Sequence, residues 1–570
     1  MKLAPIVIFA YNRPDKILRT INSLKKNNLA KFSILYIICD GTNKSKKDDN
    51  LKVNCVHQIL KNISGFKKVN IIYRNKNLGL YKNITSGLDY IFKKNKKAII
   101  LEDDIVVSKF FLKYMNESLI LYEHDNKVAT ICSNLSKDKE KLPSTFFLYH
   151  QDCWGWAAWR RSWKLFNHDS NMLLQKIKAQ RLEKKFNLEN QYDFLKLLEE
   201  NKFKKRSWAI NFYASLFINK KLNLYSSEPM SKNIGFGKDS TNNVITFTQK
   251  KFLDAFKTLE ATKKNINYKK IPIKESKKGY NAIVNLYKNE IHKTKFKYFE
   301  DRLKRKIKSL KIITKNILEG EKNKFFFKGP FDTWRDSVKN SEGYSSKKII
   351  NKLFKAATLV KNKKFAYERD TVLFSEPTYN WLILHKILKY NYNKENTNLN
   401  LIDFGGSLGS TYFQHQFFLD LFRSVKWNIV EQRKIVKIGN KFFKNKNLKF
   451  YNDLDQAIKK SKSKFIILDN VLQYIENPSN IIDILSRYKG MTIIINQIFF
   501  TKKVKDLIIV QKTPKRIYDT SYPLRIFSKN KFLKRLKKHF KIIENNKNNN
   551  SFDLSFNNIN YISEYLIIKS

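Results

Sequence analysis

Residues 100–111 read ILEDDIVVSKFF, so three adjacent carboxylates, Glu102, Asp103 and Asp104, interrupt an otherwise apolar run. A strand does not bury such a trio without partners. Oxygen donors of this kind suit a hard divalent cation, Mg2+ or Mn2+, which keeps substrate phosphates in its shell and can stabilise a diphosphate leaving group. An isolated Asp-Asp pair on a turn is ordinarily just solvated, so the polar groups at other segment ends decide its meaning. Asn12 and Arg13 follow one apolar run and Asp40 follows the next. A second set lies far along the chain. In LIDFGGSLGSTYF, residues 401–413, Asp403 ends an apolar run and Gly405, Gly406 and Gly409 open a helical one. Glycine permits backbone conformations and close ligand approach that a side chain blocks. The next run ends in Glu431, placed to accept hydrogen bonds from ribose hydroxyls, somewhat further on than the roughly 20 residues of dinucleotide folds. Another run ends in Asp469 and Asn470.

These groups act together only if the chain brings the segment ends to one edge. Apolar runs at 5–11, 32–40, 69–75 and 97–104 alternate with helical patterns near 14–26, 50–62 and 80–94. Such alternation predicts βαβ units and a mostly parallel sheet, whose ligands sit beyond the carboxyl ends of the strands. A tryptophan-rich segment at 140–245 reads as the second half of the same domain. Lysine dominates 250–325, where Phe296, Phe299, Leu303, Ile307, Leu310, Ile313 and Ile317 recur at helical spacing before Gly320. This predicts an amphipathic basic helix, docked between domains or lying on an anionic membrane. New α/β runs follow at 399–406, 425–432, 464–470 and 491–498. The expected fold class is α/β, with domains over 1–250 and 329–570 joined by a basic helical linker over 251–328.

The 570 residues exceed one core. A hydrophobic fraction of 42% argues against wholesale disorder. The formal net charge of +62 favours phosphorylated or other polyanionic partners, although a compositional bias toward Lys, Asn and Ile accounts for much of it. Cys39, Cys55, Cys132 and Cys153 show no paired short spacing, which argues against a disulfide framework or zinc site and suits a cytoplasmic protein. The apolar stretch in MKLAPIVIFAYNRP is too short for a signal peptide, and no window reaches the length of a membrane span.

Residues 4–135 resemble nucleotide-sugar-dependent glycosyltransferases of the GT-A fold, in particular bacterial family-2-like sugar transferases and the related N-acetylglucosaminyltransferase I group. The segments that carry the resemblance are PIVIFAYNRPDKILRTINSL (5–24), NKNLGLYKNITSGLDYIF (75–92) and IILEDDIVVSKFFLKYMNESL (99–119), then WGWAAWRRSW (154–163), RSWAINFYASLFINKKLNLY (206–225) and SKNIGFGKDSTN (231–242). The resemblance implies Asp104 as direct metal ligand, with Asp103 on the sugar or diphosphate side and Glu102 holding the turn. It further implies Asn12, Arg13, Asp40 and Gly79 around the nucleotide-sugar, and Trp154, Gly155 and Trp156 around the acceptor. The chain departs from the pattern at Ser207-Trp208-Ala209, where an acidic residue often follows the tryptophan, and at Thr241-Asn242, where Thr-His is usual. An inverting transfer still needs a carboxylate at the acceptor hydroxyl. Asp152 is the candidate, with Asp239 behind it.

DFGGSLGS, Glu431-Gln432 and DNVLQY resemble class I S-adenosylmethionine-dependent methyltransferases, and more narrowly a polysaccharide-associated bacterial group. FDTWRDS (331–337), SYPLRIF (521–527) and EYLIIKS (564–570) extend the likeness. It implies a Rossmann-like fold in which Asp403, Gly405, Gly406, Gly409, Glu431, Asp453 or Leu454, and Asp469 surround S-adenosylmethionine. His385 and His415 are candidates for a base, with core histidine as the plain alternative.

The expected protein is a bifunctional surface-polysaccharide enzyme. It would take a nucleotide-sugar donor, a glycan or lipid-linked glycan acceptor, Mn2+ or Mg2+, and S-adenosylmethionine, in the cytoplasm or peripherally on the inner face of the membrane. A non-catalytic C-terminal binding module is the alternative. A nucleic-acid-binding protein is disfavoured, because the chain lacks recognition motifs and basic–aromatic stripes.

Overall fold

The computed structural model describes residues 3–133, 142–205, 207–235, 260–266, 269–288, 325–343, 347–392, 397–547 and 562–570. Asp239, Thr241, Asn242 and the amphipathic stretch 296–317 lie outside them. The chain divides into two compact units, Met1–Ile307 and Lys308–Ser570.

In the first unit the strands are β1 (Ile6–Ala10), β2 (Ile34–Cys39), β3 (Lys68–Tyr73), β4 (Lys97–Glu102), β5 (Ile105–Val107), β6 (Val128–Cys132), β7 (Thr145–Leu148), β8 (Trp156–Trp159), β9 (Leu222–Ser226) and β10 (Ser231–Asn233). The main sheet has the order β3-β2-β1-β4-β8-β6-β9-β7, and β10 pairs with β5 in a small second sheet. β1 to β4 run parallel, while β8 is antiparallel to both β4 and β6. Every residue of β1 is buried because alternate side chains enter different cores. Ile6, Ile8 and Ala10 join one cluster with Ile17, Ile21 and Leu24 of the helix Pro14–Lys25. Val7 and Phe9 join another with Ile84, Leu88 and Ile91 of the helix Gly79–Lys94. Covering both faces explains the near-continuous apolar runs.

Part of the expected linker belongs to this unit. Glu275 forms a β-bridge with Phe147, and Ser276 N donates to Phe147 O at 2.9 Å. Ile283 and Tyr287, four residues apart, bury with Phe146, Leu148 and Tyr225. Apolar burial ties 269–288 to the sheet despite the surrounding lysines.

In the second unit the strands are β11 (Phe326–Phe331), β12 (Tyr367–Arg369), β13 (Val372–Phe374), β14 (Asn398–Phe404), β15 (Ser424–Val430), β16 (Leu448–Tyr451), β17 (Phe465–Asp469), β18 (Thr492–Thr501), β19 (Leu507–Lys512), β20 (Ser521–Ser528), β21 (Lys541–Lys547) and β22 (Ile562–Lys569). β16-β15-β14-β17-β18 is a parallel, doubly wound order whose direction of growth reverses beside β14. β22 runs antiparallel along β18 and pairs with β21. β12 and β13 form a separate hairpin. Both units are α/β, with a GT-A-like mixed sheet in the first and a Rossmann-like one in the second. Among the described residues no helix is long and apolar enough to cross a membrane, and the four cysteines are free thiols.

Candidate functional site

The parallel register sets Phe9 beside Glu102 and Ala10 beside Cys39, so the chain leaves β1, β2 and β4 at one edge. Arg13, immediately before the helix Pro14–Lys25, turns back onto the acidic turn. Its Nη1 lies 2.7 Å from Asp104 Oδ2 and its Nη2 bonds Asp103 Oδ1. Tyr11 N donates to Asp103 Oδ2 at 3.1 Å, and Thr20 Oγ1 donates to Asp103 O at 2.8 Å. Burial opposes the charge on Arg13, but Asp103 and Asp104 outweigh it and hold the guanidinium firmly protonated. Burial and the neighbouring Asp104 raise Glu102; burial also raises Asp103, against the pull of Arg13.

Asp104 is 6% exposed, and its Oδ1 has no hydrogen-bond partner among the described residues. Ile234 N donates to Asp104 O at 2.9 Å, and a Cβ on Gly235 would overlap the Asp104 carboxylate. The first half of the NIGFG segment is therefore moulded to this aspartate. An unsatisfied buried carboxylate oxygen fits a divalent cation that brings phosphate oxygens as its other ligands. Among the described residues no group of three His, Cys, Asp or Glu could hold a metal without such help.

The other expected nucleotide-side residues sit at the same edge. Asp40 accepts from Gly41 N at 2.9 Å and Leu78 N at 2.7 Å through Oδ1, and from Gly79 N at 2.9 Å through Oδ2. It anchors the loop carrying Gly79, whose φ of +77° suits glycine. Asn12 bonds Asp49, a residue the sequence reading missed. Asp49 is 1% exposed and also takes Tyr11 OH at 2.8 Å and Asn43 N at 2.7 Å. Beside Asp48 at the start of a polar helix, it reads in sequence as a solvated acid.

The antiparallel pairing of Ile100 with Trp156 brings Gly155 beside Leu101 and Cys153 within electrostatic reach of Glu102, whereas the charge of Asp152 is felt by Cys132, Cys153, Tyr225 and Tyr287. Burial pushes the Asp152 carboxyl up to about 7, and Trp154 N donates to it at 3.3 Å. Gly155, with φ +89°, leaves room for Ser133 Oγ, which a Cβ would approach to 2.9 Å. Trp156 departs from expectation. It is 1% exposed and stacks on Trp208 at 5.6 Å, so it is core rather than acceptor wall. Its side chain points to the face opposite Ala157, where the helix Trp208–Ile218 covers it.

In the second unit Asp403 and Asp469 end neighbouring parallel strands at the reversal point. Burial pushes Asp403 up to about 7, opposed by a 3.0 Å hydrogen bond from Trp427 Nε1. Gly405 and Gly409 have φ of +77° and +104°, and a Cβ on Gly406 would press on the Asp403 carboxylate at 2.6 Å. Glu431 accepts from Ser407 N at 3.2 Å and Gln432 N at 2.8 Å, clasping the glycine turn. Asp453 stands at the end of β16, but its Oδ1 caps the helix Leu454–Ser461 through Gln456 N at 2.7 Å. Leu454, the other residue expected beside the adenine, is buried in the core. The side-chain-free turn, closed on one side by Val471 and Asp403, and the buried Ser407 Oγ, which has no partner among the described residues, suit close approach of a cofactor such as S-adenosylmethionine.

The sequence reading missed the β12–β13 hairpin. Its Glu368 bonds Ser410 Oγ, and Arg369 Nη2 lies 3.5 Å from Asp469 Oδ2. His415 Nε2 takes Asn380 N at 3.2 Å, and burial pushes both His385 and His415 down to about 4. They are core histidines.

Residues 1–169 match the model of the GNT-I family, a glycosyltransferase family. No curated protein matches the chain. Among solved structures, the PH0226 protein from Pyrococcus horikoshii OT3 is 12% identical over 32% of this chain and 85% of that one, with a TM-score of 0.22. An S-adenosylmethionine-dependent methyltransferase from Clostridium acetobutylicum ATCC 824 is 13% identical over 33% of this chain and 88% of that one, with a TM-score of 0.21. TarS of S. aureus is 12% identical over 30% of each chain, with a TM-score of 0.21.

Proposed function

We propose that the first unit transfers a sugar from a nucleotide-diphospho-sugar to a glycan hydroxyl in surface-polysaccharide synthesis, and that the second transfers a methyl group from S-adenosylmethionine to a glycan. The observation that carries the first half is the strand-end cluster of Arg13, Asp103 and Asp104, in which Asp104 Oδ1 has no hydrogen-bond partner among the described residues. Arg13 binds the diphosphate, Asp40 shapes the nucleotide loop, and Asp103 faces the sugar. Asp104 holds Mn2+ or Mg2+, which when bound supplies positive charge to the departing diphosphate. Asp152, ionised above about pH 7, takes the proton from the acceptor hydroxyl, and inversion follows from attack opposite the leaving group. Trp154 and Gly155 border the acceptor, which is a glycan or lipid-linked glycan.

In the second unit Gly405, Gly406 and Gly409 admit the methionine portion of the cofactor and Glu431 holds its ribose, with Asp469 at the neighbouring strand end. The cofactor, when bound, supplies the methyl group. A second reading, cofactor binding without methyl transfer, is favoured by the burial of both candidate histidines as core groups.

The test is to incubate the full chain with UDP-, GDP- and dTDP-sugars, Mn2+ and mixed glycan acceptors. Nucleoside diphosphate release that Asp104→Ala lowers at least 100-fold supports the first half; equal release by both proteins overturns it. Calorimetry with S-adenosylhomocysteine tests the second half, and methyl incorporation into glycan separates its two readings.

A further inference from the structure

The β12–β13 hairpin reaches both sides of the crevice where the second unit's sheet order reverses. On the glycine-turn side Glu368 takes Ser410 Oγ, and on the other side Arg369 Nη2 lies 3.5 Å from Asp469 Oδ2 at the end of β17. The hairpin tip is the two-residue turn Asp370-Thr371, with φ of +50° and +65°. Turns of this kind favour Asn-Gly, and a β-branched residue in the left-handed region is strained. The strain is held by Thr371 N, which donates to Glu368 Oε2 at 3.0 Å, and by Thr371 Oγ1, which donates to Ile517 O at 2.9 Å. Strain that the surroundings over-determine in this way collects at functional positions. The strand end beside Asp469 also keeps an unmet acceptor. Gln473, 1% exposed, donates through Nε2 to Asn470 Oδ1 and to Gln497 O at 3.0 Å, and its Oε1 has no partner among the described residues.

Methyl transfer to a hydroxyl needs a proton acceptor, and the other acids at this crevice are engaged. Asp403 takes Trp427 Nε1, Glu431 clasps the glycine turn, and Glu368 is bonded through both oxygens. Asp469 takes Asn496 Nδ2 at 2.7 Å on one oxygen and faces Arg369 with the other. Asp370 differs. Tyr518 OH donates to its Oδ1 at 3.2 Å, and its Oδ2 carries no hydrogen bond among the described residues. Its charge is felt at Asp469. Solvent reaches it, yet desolvation by the surrounding protein raises its carboxyl against the pull of Arg369. Asp370 therefore lines a recess rather than projecting into bulk water.

We propose that Asp370 is the catalytic base of methyl transfer, delivered by the hairpin to an acceptor hydroxyl over the end of β17. The proposal rests on the methyltransferase reading of the second unit. The acceptor hydroxyl gives its proton to Asp370 Oδ2 while its oxygen bonds the methyl carbon of S-adenosylmethionine. The methyl–sulfur bond breaks, its electron pair returns to sulfur, and S-adenosylhomocysteine is left.

Asp370→Asn isolates this role, because asparagine tolerates left-handed backbone and its carbonyl oxygen can still accept from Tyr518. The full-length wild type and D370N are compared by calorimetry with S-adenosylhomocysteine and by transfer of labelled methyl from S-adenosylmethionine to mixed glycan acceptors. The expected result is S-adenosylhomocysteine affinity within twofold of wild type and methyl transfer lowered at least 100-fold. Asp370→Gly, which suits the turn and leaves space for a small carboxylate, should be accelerated at least tenfold by added formate. Equal methyl transfer by wild type and D370N overturns the proposal and leaves the methyltransferase reading standing. So does a D370N protein whose loss of rate is matched by loss of S-adenosylhomocysteine affinity, since Asp370 then serves the cofactor or the fold. If D370N fails to fold, D370G decides: acceleration by formate supports the proposal and its absence overturns it. Wild-type protein that binds S-adenosylhomocysteine but transfers no methyl overturns both the proposal and the methyl-transfer reading, and absence of binding removes the cofactor reading as well.

Discussion

Asp152 and Gly235 show how much single positions govern here. A carboxyl that burial pushes up to about 7 is protonated below neutrality, so a base role requires glycosyl transfer to rise between about pH 6 and pH 8. Asp152→Asn should abolish that rise along with most of the rate, read as transfer rate against pH. Stability follows the opposite course. A folded value above the unfolded one favours the folded state at low pH, and that advantage is lost as pH rises through about 7. The wild type should therefore lose stability relative to D152N from pH 4 to pH 8 in urea unfolding. At Gly235 a Cβ would overlap Asp104's carboxylate, so Gly235→Ala should lower glycosyl transfer at least tenfold while leaving the circular dichroism spectrum unchanged. Some of this was legible in sequence: the acidic trio, Arg13 and Asp40 do meet at one edge. Asp49 was not, because its burial depends on Tyr11, Asn12 and Asn43 folding over it. Trp156 misled because a tryptophan beside glycine carries no mark of which sheet face it will take.

The elements were more readable than the residues. Runs predicted at 5–11, 32–40, 69–75 and 97–104 became β1 to β4 within two residues at each end; β1 and β4, covered on both faces, are continuously apolar, while the edge strand β3 is only partly buried. The short β12–β13 hairpin has no such signature, and its importance comes from Glu368 reaching Ser410 across the fold. The glycine turn after β14 gives the element-scale prediction. Gly405 has φ +77°, and its Cβ would strike Val471. Gly405→Ala should cost about 1–2 kcal/mol for the left-handed backbone alone, visible in urea unfolding, and should weaken S-adenosylhomocysteine at least tenfold by calorimetry. Trp427→Phe removes the hydrogen bond to Asp403. Leaving that buried acceptor unpaired should cost about 1–3 kcal/mol.

At the scale of the whole chain, two units with separate cores predict two unfolding transitions rather than one. A ligand raises only the transition of the unit that binds it, by about 2.7 kcal/mol at a hundredfold excess over its dissociation constant. Nucleoside diphosphate with Mn2+ and S-adenosylhomocysteine should therefore move different transitions in calorimetric scans, and movement of one shared transition by both would contradict the division. The domain count was readable from length and from two runs of βαβ pattern. The placement of 269–288 was not, since lysine-rich surroundings mask the few apolar residues that dock it.

The ladder between β4 and β8 also separates what must stay from what can change. Trp156 to Trp159 are locked in register with Lys97 to Ile100, and a slip of one residue would drive each tryptophan into the core on the opposite face, where an alanine now packs. Residues 149–155, between β7 and β8, lie outside that ladder and carry Trp154 and Gly155, the groups proposed to border the acceptor. The backbone of this segment is nevertheless pinned, since Asn223 Nδ2 donates to Tyr149 O and His150 O, both at 3.1 Å, so the route to redirecting acceptor choice is to vary the side chains at 152 and 154 while keeping the path of the segment.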